Sequence, residues 1–299
     1  MASPKSFVSW IAAAALGIFI LFVVLPVFAI FTFSGLASFM SPEISASDKL
    51  VSVVELEGMI TDSREIVEEL YTQAANKHVK GIVLRVNSPG GAVGPSQEIY
   101  SAIKKIREQK PVVASMGAVA ASGGLYASLA ADRIFCQPGT LTGSIGVVLQ
   151  LPNVHKITDK FGFEMVTITS GELKDAGNAF RATTKKELDY FQDTVNQAYA
   201  EFVEAVASSR GLERNDVKAF ADGRVLLGSQ ALQYGVVDSF GDVYDAARAA
   251  LELSGSPIAA SEMPDLMYPS DKMKFFKKIL ESVTNISYFL QGNARIQYL

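Results

Sequence analysis

Residues 79–131, VKGIVLRVNSPGGAVGPSQEIYSAIKKIREQKPVVASMGAVAASGGLYASLAA, decide the fold class. The unbroken apolar run Ile82, Val83, Leu84 suits a buried strand, which ends in the proline–glycine turn NSPGG at 87–91. GPSQEIYSAIKKIREQ then sets Ile99, Ile103 and Ile106 on one face of a helix, with Pro95 near its first turn. PVVASMG reads as another short strand and SGGLYASLAA as another helix. Strand and helix alternating in this way predict an α/β domain with largely parallel pairing.

The pattern extends in both directions. LVSVVELEG at 50–58 is a strand and SREIVEELYTQAA at 63–75 a helix. RIFCQ is a strand that carries Cys136, the lone cysteine, which reads as a small buried residue and leaves the fold without an internal disulfide. EMVTI at 164–168 is expected as a strand. From Leu188 to Val206 apolar side chains step by three or four, a long helix with a Thr184–Glu187 capping box and a stop at Gly211. LLGSQALQYGVVDSFG follows as a helix, a turn and a short strand.

The ends of the chain differ from its middle. No charged residue lies between Lys5 and Glu43, and Phe7 to Phe33 is an uncharged run that is apolar but for Ser9 and Thr32. A bilayer core needs about 20 apolar residues, so this run is long enough to span, and it exceeds the roughly 7–15 residues of a signal-peptide core. Lys5 before it, with Glu43, Asp48 and Lys49 after it, favours a cytoplasmic N-terminus and a bulk domain outside. SPEISASD at 41–48 is a polar linker. At 272–286, Lys272, Lys274, Lys277 and Lys278 accompany Phe275, Phe276, Ile279, Leu280, Val283 and Ile286, an amphipathic basic helix suited to a membrane surface, a neighbouring subunit or its own domain. The expected organisation is a cytoplasmic N-terminus at 1–6, a transmembrane helix at 7–33, a linker at 34–49, a catalytic domain at 50–255 and a tail at 256–299. A net charge of -4 and a pI near 5.4 give no basic footprint for nucleic acid.

Ser122 stands between two alanines and two glycines, cleared of bulky neighbours. The helix expected just after it offers unpaired N–H groups suited to an oxyanion, although most serines at such positions are caps or spacers. The glycines of NSPGG permit positive φ angles and amides that face a ligand, or only a tight turn. The chain has two histidines, His78 and His155, in unremarkable settings. Lys174, in the loop TSGELKDAG at 169–177, is ordinarily a solvated charge. A lysine can replace histidine as the base of a serine hydrolase if it is held neutral, as burial among apolar groups allows.

Five stretches in order, VNSPGG, MGAVAASGGLYASLAAD, GTLTGSIGV, SGELKDAG and ADGRVLLGSQALQYGVVDSFGD, resemble the signal peptide peptidase A family across about residues 50–250. The resemblance is to its short bacterial form. It implies a Clp protease/crotonase-like spiral of ββα units preceded by one transmembrane helix. It implies a serine peptidase with Ser122 as nucleophile, Lys174 as general base, Ser144 as the hydroxyl that orients the lysine, and the amides of Gly91 and Gly123 as oxyanion donors. No metal or other cofactor is implied. Leu125 stands where the family often has tyrosine, a position that touches substrate or packing, while Arg85, Asp132 and Asp222 read as structural ion-pair formers. The implied partners are apolar peptides such as cleaved signal peptides, membrane lipid and further copies in a ring-shaped homo-oligomer such as an octamer. The implied location is the bacterial cytoplasmic membrane, single-pass, with the catalytic domain on the periplasmic side. Alternatives are a crotonase-type acyl-CoA enzyme, the stomatin-associated group of membrane Ser–Lys proteases, and an inactive scaffold.

Overall fold

The computed structural model describes residues 48–269; the expected span at 7–33 and the basic tail at 272–286 lie outside the described residues. Strand β1 (Leu50–Ile60) leads through helix α1 (Arg64–Ala75) to β2 (Gly81–Gly91), and α2 (Val93–Ile106) leads on to β3 (Val112–Ala120). Helix α3 (Gly123–Ser128) precedes β4 (Arg133–Cys136), β5 (Leu141–Gly143) and the short α4 (His155–Lys160). Helices α5 (Lys185–Arg210) and α6 (Arg214–Lys218), strand β6 (Val225–Leu227), α7 (Gly228–Gln233), β7 (Ser239–Phe240), α8 (Val243–Leu253) and β8 (Asp265–Met267) complete the order. The strands β8, β1, β2, β3, β4 and β7 lie side by side, every pair parallel. The antiparallel pair β5–β6 joins this sheet at the far end of β3, where Leu141 meets Val119.

Period-two alternation explains why the central strands are apolar throughout. Ile82, Leu84 and Val86 enter the large core beneath α2 and α3, and Val83 enters a second core beneath α8. Val112, Ala114 and Met116 of β3 divide from Val113 in the same way. A sheet covered on both faces needs apolar residues at both parities. Helix α8 comes close because it presents Ala246, Ala247, Ala249 and Ala250, and a Cβ at Gly81 would lie 2.8 Å from that of Ala250.

The long helix forms as expected, with a complete Thr184–Glu187 capping box and Gly211 left-handed at its end. Cys136 is buried, and burial pushes its thiol up to about 11, so it is an inert core residue. Leu125 is fully buried, so the position where the family often has tyrosine is a packing position here.

Two expectations are corrected. NSPGG is not a turn that ends the strand: β2 runs on to Gly91, paired with β1 through a register shift, and Gly90 takes φ 103°. EMVTI forms no strand. Val166 and Ile168 are 79% and 94% exposed, and a strand without a partner is not held in water.

Candidate active site

Ser122 is the second of the two residues between the end of β3 and the first residue of α3. Its backbone has φ 51° and ψ −119°, a region that non-glycine residues avoid and that costs of order 1–3 kcal/mol. The conformation is pinned from both sides. The Ser122 N–H donates to the Gly143 carbonyl at 2.9 Å, and the Ser122 carbonyl accepts from the Tyr126 N–H at 2.9 Å. Ser144, at φ 50°, donates its N–H to the Arg224 carbonyl at 2.7 Å. Strain of this kind at two serines, each fixed by backbone bonds, aims their side chains at a chosen place.

That place is an open cleft of about 510 Å³ lined by both serines. Ile145, Val147, Val148 and Val195 supply apolar walls, with Tyr199 and Asp222 beside them. The Tyr199 hydroxyl donates to the Ala221 carbonyl at 2.8 Å, which fixes the far rim.

The glycine turns interlock next to Ser122. A Cβ at Gly90 would fall 2.6 Å from the Gly123 nitrogen and 2.7 Å from the Ser122 Cβ. A Cβ at Gly123 would meet the Ser96 Oγ at 2.3 Å and the Gly91 nitrogen at 3.3 Å, so the amides of Gly91 and Gly123 stand on the same small patch. Gly123 is also the first residue of α3, whose opening N–H groups have no acceptor inside the helix.

Hydroxyls that sequence reading passed over hold this patch together. Ser88 Oγ donates to the Gly58 carbonyl at 2.6 Å and accepts from the Gly90 N–H at 3.1 Å. Thr142 Oγ1 donates to the Ala120 carbonyl at 2.7 Å, and Thr140 Oγ1 to the Gly117 carbonyl at 2.9 Å. Serines and threonines of this sort carry no pattern in sequence, because their partners are carbonyls more than twenty residues away.

Lys174 is placed differently. It lies exposed in the loop between α4 and α5, and among the described residues no hydrogen bond joins it to Ser122 or Ser144. The loop itself is anchored. Arg181 donates to Asp175 at 2.8 and 2.9 Å and to both carboxylate oxygens of Glu187, which is buried at the start of α5. The Arg181 guanidinium holds Glu187 down to about 2 and lowers Asp175 as well. Asp222 is likewise held down to about 2, by hydrogen bonds from Arg224. Asp132 pairs with Arg107 and Asp222 with Arg224, so both aspartates are ion-pair formers as expected, and Arg85 donates to Ser115 Oγ and the Met116 carbonyl. Neither His78 nor His155 lines the cleft.

A strained serine in an apolar-walled cleft, with two glycine amides packed against it, sits on a parallel α/β sheet of the Clp protease-like class. Residues 49–140 match the Clp protease family model. Residues 104–256 match the model of Peptidase family S49, and the chain belongs to that family: it is a serine peptidase. It is 37% identical over 215 residues to "Putative protease slr0021" of Synechocystis sp., covering 72% of this chain and 78% of that one. It is 36% identical over 218 residues to "Putative signal peptide peptidase SppA" of Enterococcus faecium, covering 68% and 63%. With "Serine protease SPPA, chloroplastic" of Arabidopsis thaliana it shares 32% over 233 residues, covering 77% of this chain and 34% of the relative.

Proposed function

We propose that this serine peptidase is a membrane-anchored endopeptidase that cleaves apolar peptides, remnant signal peptides among them, with Ser122 as nucleophile and Lys174 as general base. The observation that carries the reading is the strained backbone of Ser122 in the cleft it shares with Ser144. Neutral Lys174 takes the Ser122 proton as Oγ attacks the peptide carbonyl. The amides of Gly91 and Gly123 hold the resulting oxyanion, a contribution typically worth about 3 kcal/mol per donor. The lysine ammonium protonates the leaving amine, and water then releases the acyl group from Ser122 with the lysine again as base. Ser144 keeps the amine in line.

Lys174 lies exposed outside the cleft, so the dyad is completed in an assembly of copies, the loop of one reaching the serine of another. Support comes from the surface of that loop region: Val148, Phe161, Val166 and Ile168 are each about four-fifths exposed or more, an area that soluble monomers rarely leave open. Closing such an interface would also dry the lysine, which a neutral base requires. A ring such as an octamer is the arrangement we favour. The apolar run at 7–33 supplies the anchor in the bacterial cytoplasmic membrane, the catalytic domain spans 50–255 on the outer side, and 256–299 forms a tail.

The test uses the full chain in detergent with a synthetic signal peptide. Wild type cleaves it and Ser122→Ala does not; equal turnover by the two would remove Ser122 from the chemistry. Lys174→Arg is as inactive as Lys174→Ala, since a guanidinium cannot supply a neutral base.

A further inference from the structure

The sheet has an open edge that no residue of the cleft touches. β8 covers β1 only at Leu50, Val51 and Ser52, so among the described residues β1 has no strand on that side from Val53 to Ile60. A groove of about 800 Å³ follows this edge. Its walls are acidic on both faces of the sheet. Glu55 and Glu57 share the β1 face of Val51 and Val53, and Glu65, Glu68 and Glu69 stand at i, i+3 and i+4 along α1, which packs on the other face. Asp62 adds a sixth carboxylate, paired with Arg64, the one cation in the lining.

The chain itself leads into this groove. β8 runs parallel to β1 in the register Leu50–Asp265 to Ser52–Met267, so the backbone leaving Met267 heads along the uncovered half of β1. Pro269, the last described residue, already lines the groove. The sequence that follows is SDKMKFFKK, with Lys272, Lys274, Lys277 and Lys278 set among Met273, Phe275 and Phe276. Nine extended residues reach about 30 Å, and the edge from Val53 to Ile60 is roughly 25 Å long. Continued in this register, residues 268–275 lie opposite Val53–Ile60: Lys272 and Lys274 then share the face of Glu55 and Glu57, and Lys277 and Lys278 fall just past Ile60, beside Asp62 and the first turns of α1.

We propose that residues 270–278, instead of opening the amphipathic helix that their spacing suggests, dock along this edge of their own chain as an added strand, lysines against the carboxylates of β1 and α1. Main-chain pairing with β1 supplies the seat and the opposed charges fix the occupant. The tail is therefore a strap on the peptidase domain before it is anything else.

The test keeps the full chain. With Glu68→Cys and Lys277→Cys introduced together, mild oxidation gives a cross-link within one chain, about tenfold faster than in a Glu108→Cys, Lys277→Cys control; Cys136, the native thiol, is buried. In parallel, hydrogen exchange is followed at 53–60 and in α1. Changing all four tail lysines to glutamate speeds exchange at 53–60 by about tenfold, and Glu65→Lys with Glu68→Lys restores protection to that tail. Cross-links between chains would overturn the proposal, because the edge would then hold another copy's tail. So would unchanged exchange in the lysine variants together with loss of their binding to phosphatidylglycerol vesicles, since the lysines would then serve lipid.

Discussion

The surroundings of Ser122 and of Lys174 are built in opposite ways. Around the serine, interlocked glycines, buried threonines and strained backbone leave almost no freedom. Around the lysine, residues 147–183 contain one short helix, and large apolar side chains stand open to solvent. A single copy thus completes the surroundings of Ser122, Gly91 and Gly123. It carries Lys174, the base of the proposed dyad, on a tethered surface with exposed apolar side chains, the arrangement that the proposed assembly of copies would close.

The largest effect expected is at the dyad. Ser122→Ala and Lys174→Ala each lower kcat by roughly 10³-fold or more. Dissociating and reassembling the two inactive proteins together separates one copy from two: if the dyad is shared between copies, random mixing restores about a quarter of wild-type activity, whereas a dyad within one chain restores none. Next comes the exposed surface. Val166→Asp with Ile168→Asp breaks the assembly in analytical ultracentrifugation and lowers turnover about tenfold or more while the circular dichroism stays unchanged. An assembly that survives both changes would leave this face without the role given to it.

Smaller effects test the rigid side and the tether. Gly90→Ala places a Cβ against the Gly123 nitrogen at a φ of 103°, and destabilises by about 1–3 kcal/mol in urea unfolding. Arg181→Ala strips Glu187 of its charged partner and releases Asp175, so Tm falls by several degrees and turnover with it; Arg181→Lys recovers part of both. The smallest effect is on acid stability. Glu187 and Asp222, ordinarily at 4.5 and 3.8, are both held down to about 2. Their contribution is complete above the unfolded values and is lost as the pH falls through the folded ones. Thermal unfolding from pH 6 to pH 2 therefore shows Tm dropping below about pH 4.5, and the drop is shallower in Arg181→Ala, where Glu187 has already lost its charged partner and keeps only the Thr184 bonds.

Local pattern settled much of this protein. The two-parity apolar runs of β2 and β3, the Thr184–Glu187 cap and the isoleucine stripe of α2 depend on neighbours within a few residues, and each forms where the sequence puts it. The motif stretches bring Ser122, Ser144, Gly91, Gly123 and Lys174 forward as a group; the fold gathers the first four about one cleft and its glycine patch and leaves Lys174 exposed outside it. What tertiary structure alone decided has long-range causes. That NSPGG continues a strand follows from its pairing with β1. That EMVTI stays unpaired follows from the absence of a partner strand among the described residues, which its own β-branched composition cannot reveal. The open acidic edge of β1 exists because β8 stops after three residues. Propensity and periodicity act over one or two turns of chain, but which strand finds a partner depends on surfaces brought together from far apart.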